Sequence, residues 1–170
     1  MKFEGYYYGT HEALAVGLKH EPRHARCLKM PRSVPAGLLY MIMPRDYVKY
    51  VIIAPWNDAE AVEKIMRMYG NDIAGIILEP VLMNMGVIPA SREFMKLLRE
   101  LADEYSSILI FGEIKTCSMW CRGVQEYYGV KSDVMVVDKG PGSELPFSAV
   151  IASRDIMELI GVRKVPHMSL

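Results

Sequence analysis

Two hydrophobic periods alternate along most of the chain. Short apolar runs occur in "YVKYVIIA" (47–54), "DIAGIILEP" (72–80), "ILIFGEI" (108–114), "DVMVVDK" (133–139) and "FSAVIAS" (147–153). Runs of this length and content read as strands. Between them lie segments with helical spacing. In "PWNDAEAVEKIMRMYG" (55–70), Val62, Ile65, Met66 and Tyr69 fall at i, i+3, i+4 and i+7, one apolar face. Asn57 is the expected N-cap, with Glu60 completing a capping box, and Gly70 the expected left-handed C-terminal residue. "SREFMKLLRELADEY" (91–105) repeats the pattern with Phe94, Leu97, Leu98 and Leu101, and Ser91 stands where a cap is needed. "GVQEYYG" (123–129) reads as a short helix closed by Gly129. Ser153 caps a last helix, "RDIMELI" (154–160), which Gly161 stops. Residues 20–46 carry four prolines and read as irregular, and "VLMNMGVIPA" (81–90) reads as a loop.

Strands alternating with helices predict an α/β fold: a mostly parallel sheet with helices on both faces. With 170 residues, no internal repeat and no clean linker, the chain is expected to form a single domain over 1–170. In such folds, chemistry gathers beyond the carboxyl ends of the strands. Glu79, Gly112 and Lys139 follow or end three of these runs, so one edge is expected to unite them. At Gly112 a glycine stands where a strand should deliver a functional side chain.

Charge and cysteine content narrow the function. Lysine plus arginine equals aspartate plus glutamate, 20 each. That balance offers no basic footprint for nucleic acid or an anionic membrane. No apolar run reaches the ~20 residues of a membrane span. Cys27, Cys117 and Cys121 form no disulfide framework, which points to a reducing, cytoplasmic compartment. The 13 methionines read as adaptable core filling.

Phosphate-binding glycine loops and the G-x-S-x-G elbow are missing. His20, His24 and Cys27 have no known ligand spacing, and Pro22 breaks the helix that would align the histidines. Cys117 and Cys121, beside Trp120, read as packing. Lys139 follows a buried run directly and precedes Gly140, Pro141 and Gly142. Partial burial there would make it an amine nucleophile, although by position alone a solvated loop lysine is the better account.

A set of ordered motifs resolves this. "IAGIILEPVLMNMGVIPASREFMKLLRELADEYSSILIFGEIKT", "GVQEYYGVKSDV", "VVDKG", "LPFSAV" and "RDIM" occur in sequence, after "GYYYGTHEALAVG" and "APWNDAEAVEKI". Together they resemble the class III aminotransferases of the pyridoxal 5'-phosphate (PLP) fold type I group, and most of all glutamate-1-semialdehyde aminomutase. The resemblance runs from about residue 3 to residue 160. It implies the central part of the PLP-binding large domain, with the family's N-terminal segment and C-terminal small domain absent from this stretch. It also implies a homodimer and an amino acid or amine substrate. The reaction it implies is amino group transfer by a transaminase or aminomutase, through a Schiff base between Lys139 and PLP.

The same resemblance assigns further roles. Tyr7 matches the aromatic that stacks on the cofactor ring. Tyr8 replaces the family's histidine, and Gly9 matches its glycine. Ile114 matches the apolar residue on the opposite ring face, and Glu79 the glutamate of the Glu-Pro motif near the cofactor. Gly112 stands where the family carries the aspartate that faces the ring nitrogen. Such a carboxylate keeps the nitrogen protonated and so strengthens the ring as an electron sink. Glu113 aligns with the family's own glutamate, and alternation along a strand turns it to the other side of the sheet. "PGSELP" (141–146) replaces a glycine-rich turn and puts Glu144 near the expected anion site. An alternative therefore stays open: a degenerate or truncated, non-catalytic relative acting as a scaffold or subunit.

Overall fold

The computed structural model describes residues 1–7, 9, 50–143 and 145–159. The proline-rich stretch 20–46, His20, His24, Cys27, Tyr8, Glu144 and Gly161 lie outside the described residues, as do residues 47–49 of the first expected strand.

The described strands are β1 (Lys2–Phe3), β2 (Ile53–Ala54), β3 (Gly75–Leu78), β4 (Val81–Leu82), β5 (Ile88–Pro89), β6 (Ile108–Gly112), β7 (Val134–Asp138) and β8 (Ser148–Ala152). The helices are α1 (Ala59–Tyr69), α2 (Arg92–Glu104), α3 (Val124–Tyr128) and α4 (Arg154–Leu159). Six strands form one sheet in the order β2-β1-β3-β6-β7-β8. Its pairings are parallel except β7 with β8, which is antiparallel. The expected α/β class and mostly parallel sheet are therefore observed.

β1 has no counterpart among the expected strands. It inserts between β2 and β3, with Lys2 level with Ile53 on one side and Ile77 on the other. Two residues are too few to show a period. The expected loop 81–90 contains a small antiparallel pair, β4 with β5. Its turn places Gly86 at φ 97° and Val87 at φ 60°.

The core lies between the sheet and its helices. Ile76, Leu78, Leu109 and Phe111 point from β3 and β6 toward Val62, Ile65 and Met66 of α1 and Phe94, Met95, Leu98 and Leu101 of α2. Phe3, Trp56 and Phe94 meet edge to face, with centroids 5.5–5.7 Å apart, the arrangement that aromatic quadrupoles favour. The run 108–111 is not buried throughout: Leu109 and Phe111 are, Ile110 is half-buried, and Ile108 is exposed. The helix-facing side of β6 is thus the better covered one.

Cap residues largely follow the sequence, with two exchanges. Ser91 accepts a hydrogen bond from the Phe94 N–H at 3.1 Å, and Gly129 closes α3 at φ 66°. For α1, however, the cap is Asp58, which accepts from Ala61 N–H at 2.9 Å. Asn57 instead sits at φ 56° and ties the α1 entry to the α2 entry. Its amide donates to the Pro89 carbonyl and accepts from the Ser91 N–H, both at 3.0 Å. Gly70 is right-handed, at φ −55°. It is glycine because a β-carbon there would stand 2.2 Å from the Tyr105 ring.

Candidate functional site

The register of three adjacent parallel strands brings the predicted residues to one edge. Leu78 pairs with Phe111 and Gly112 with Val136. Glu79 is therefore level with Gly112, one strand away, and Lys139 follows three residues after Val136 on the other side. The convergence expected from Glu79, Gly112 and Lys139 is found at the carboxyl ends of β3, β6 and β7.

Each residue has a distinct setting. Glu79 is 6% exposed and accepts a hydrogen bond from Met83 N–H at 3.1 Å. Burial raises its pKa above the usual carboxylate range, opposed by that hydrogen bond and by the Lys115 charge. Lys115 donates to the Asn84 side chain, so the first turn after β6 is tied to the β4–β5 segment. The Tyr128 hydroxyl lies 3.2 Å from the Pro80 carbonyl and 3.1 Å from that of Ala90, holding both ends of the segment on α3. Ile114 is half-buried in the turn after β6. Tyr7 is 53% exposed, and Gly9 has φ 68° with open space where a side chain would start.

Lys139 leaves β7 in a strained backbone, φ 58° and ψ −82°. A lysine reaches that region only when its surroundings hold it there. Its N–H donates to Asp138 Oδ1 at 2.7 Å, its carbonyl accepts from Gly142 and Ser143, and its Nζ lies 3.7 Å from Asp138 Oδ2. The side chain is 57% exposed, as the position of a loop lysine suggested. The turn that carries Lys139 stands beyond the edge formed by β3 and β6.

The strand expected to run to Ile114 ends at Gly112, and Glu113 has a structural task. It is fully buried and accepts from Val124 N–H at 2.6 Å, from Gln125 N–H at 3.4 Å and from the Thr116 hydroxyl at 3.4 Å. Burial raises its pKa despite those donors. Cys117 is half-buried near the Asp138 carbonyl, whereas Cys121 is exposed, so packing accounts for the first only.

The residue that sequence reasoning missed is Tyr6. It is 3% exposed. A β-carbon on Gly112 would stand 1.7 Å from its hydroxyl oxygen and 2.8 Å from its Cζ. The phenol thus fills the space that a side chain at 112 would occupy. Burial, with the nearby Glu79 charge adding to it, pushes the Tyr6 hydroxyl far above its usual pKa, so it stays protonated. The signal was the tyrosine run 6–8: a glycine at a buried strand end leaves space that a large side chain fills, and this run supplies one.

Comparisons with known proteins identify the family. The family description "Aminotransferase class-III" matches residues 1–167. The chain is 38% identical over 159 residues to the glutamate-1-semialdehyde 2,1-aminomutase of Hyperthermus butylicus, covering 93% of this chain and 35% of that protein. It is 40% identical over 161 residues to the same-named protein of Clostridium kluyveri, covering 93% and 35%. A solved structure described as a transaminase with PLP bound superposes with a TM-score of 0.82 at 25% identity, covering 99% of this chain and 38% of that one. The chain thus spans about a third of the length of the curated relatives it matches. On this evidence the chain belongs to the class III aminotransferases.

Proposed function

We propose that this chain is the central part of the PLP-binding large domain of an aminotransferase or aminomutase, similar to glutamate-1-semialdehyde aminomutase. The observation that carries the reading is Lys139: a strained lysine directly beyond β7, on the edge where Glu79 and Gly112 end the two neighbouring strands.

The available residues fit a pyridine aldehyde. The half-exposed Lys139 amine is the point of covalent attachment. Tyr7 offers an exposed ring for one face and Ile114 an apolar side chain for the other. When bound, PLP supplies the electron sink that lets a proton leave a carbon bearing an amino group. The buried Glu79, held by Met83 N–H and facing the Lys115 charge, lines the strand edge. The substrate class is an amino acid or amine, and a homodimer in the cytoplasm is the expected setting. Among the described residues, no helix is long and apolar enough to cross a membrane.

The Tyr6–Gly112 arrangement favours a second reading, a non-catalytic relative, because no carboxylate can enter at 112 without moving Tyr6. Titration with PLP separates the two. A visible absorption band that forms with PLP, is lost in Lys139→Ala and is discharged by an amino acid supports the catalytic reading. A band that forms normally in wild type but does not respond to any amine supports the non-catalytic one. If no band forms, neither a working nor a relict cofactor site exists.

A further inference from the structure

We infer that Asp138 is a positioning residue for Lys139: one oxygen of its carboxylate fixes the lysine backbone in its turn, and the other holds the amine back. The inference rests on the reading that Lys139 condenses with an aldehyde at the ends of β3, β6 and β7.

Both contacts come from one carboxylate. Asp138 is the last residue of β7. Its Oδ1 accepts from the Lys139 N–H at 2.7 Å, and its Oδ2 lies 3.7 Å from Nζ. The first contact bears on the strained backbone of Lys139, φ 58° and ψ −82°, a conformation that persists only where the surroundings over-determine it. Beyond Lys139 the turn is well held. The Lys139 carbonyl accepts from the N–H groups of Gly142 and Ser143 at 3.1 and 3.0 Å. Gly140 is seated against Ser118, whose Oγ would stand 2.7 Å from a β-carbon there. On the amino side of Lys139, Oδ1 completes the hold.

The second contact bears on the chemistry. A paired ammonium has three donors and no acceptor, hence no lone pair to offer a carbonyl carbon. To react, Nζ leaves Oδ2 and gives one proton to solvent. The amine then adds to the aldehyde carbon, and the carbonyl oxygen departs as water with the two remaining amine hydrogens. Both side chains of the pair are partly exposed, 57% for Lys139 and 37% for Asp138. Such a pair is weak and screened by salt, so it slows capture of the aldehyde without preventing it. Among the described residues no second carboxylate pairs with Lys139, and Glu79 is engaged by the Met83 N–H.

The test is the rate at which pyridoxal, an aldehyde without a phosphate, is fixed to Lys139 of the purified protein by cyanoborohydride. It is measured at one pH, at low and at high salt, with peptide mapping to separate Lys139 from the other lysines. In wild type, label on Lys139 should form faster as salt rises. Asp138→Asn keeps an oxygen for the Lys139 N–H and removes the charge. It should label Lys139 with the same selectivity, roughly two- to five-fold faster at low salt, and without the salt dependence. Asp138→Ala removes both contacts and should lose the preference for Lys139 over surface lysines. An Asp138→Asn rate equal to wild type, or one that keeps the salt dependence, overturns the inference while leaving Lys139 as the attachment point. So does an Asp138→Ala variant as selective as Asp138→Asn; if that variant fails to fold, Asp138→Asn against wild type decides. Wild-type label no faster on Lys139 than on surface lysines overturns the cofactor reading itself, and this inference with it.

Discussion

The Tyr6 hydroxyl oxygen lies 1.7 Å from the point where the β-carbon of a side chain at position 112 would sit. Tyr6 follows β1 and Gly112 ends β6, and β3 runs between those two strands. Their relation makes glycine at 112 a packing requirement. Gly112→Ala should therefore destabilise by ~1–3 kcal/mol, the usual cost of overpacking a close-packed interior. Tyr6→Phe relieves little, since Cζ would still stand at 2.8 Å. Tyr6→Ala should relieve most of it, giving a coupling of about 1 kcal/mol or more in a double-mutant cycle by chemical denaturation. Additive single-mutant effects would show that the two side-chain positions do not share the space.

Gly70 gives a prediction whose sign is decisive. In an open right-handed helical position, Gly→Ala stabilises by roughly 0.5–1 kcal/mol. Here a β-carbon would stand 2.2 Å from the Tyr105 ring. Gly70→Ala should lower stability by ~1–3 kcal/mol instead, read from the midpoint of thermal or denaturant unfolding. A stabilised Gly70→Ala would contradict the packing of Tyr105 on this turn.

Glu113 should leave a mark on the pH dependence of stability. Burial raises its folded pKa above the ordinary value of 4.5. Between those two values the folded state binds more protons than the unfolded chain, so this group's contribution falls as pH rises. Glu113→Gln removes the titration and keeps one acceptor for the Val124 N–H. Wild-type stability minus variant stability should therefore decrease from pH 4 toward pH 7. A difference that grows with pH would mean that hydrogen bonding to the carboxylate outweighs its burial.

β8 should govern self-association. Val150 and Ile151 are 47% and 49% exposed, and among the described residues its outer edge has no partner strand. Uncovered apolar edges of this kind pair with other chains. Light scattering should show concentration-dependent association of the purified chain, reduced by Val150→Lys. A chain that stays monomeric with and without the substitution would show that this edge is already covered.

The long periodic segments were legible because each has one job. Val62, Ile65 and Met66, or Phe94, Leu98 and Leu101, are buried on one face by the same sheet, and period alone reveals that. The convergence of Glu79, Gly112 and Lys139 was legible because parallel strands put their carboxyl ends together. What could not be read depends on contacts between distant residues. β1 is two residues long and is defined by its neighbours, β2 and β3. The cap of α1 falls to Asp58 because Pro89 and Ser91 engage Asn57. The exposure of Lys139 follows from its position in a turn, but the strained backbone that carries it could not be read from the sequence. Tyr6 was hidden for the same reason as Asn57: its role exists only where it meets Gly112.

The most direct measurement is to find which lysine takes up the cofactor. Lys139 and Lys115 both follow strands that end at this edge, and Lys115 is already engaged by Asn84. The purified protein is incubated with PLP, reduced with borohydride and digested, and its peptides are mapped by mass spectrometry. Stoichiometric phosphopyridoxyl label on Lys139, lost in Lys139→Ala without moving elsewhere, is the predicted result. Label on Lys115, label scattered over surface lysines, or no label at all would contradict a cofactor site built around Lys139.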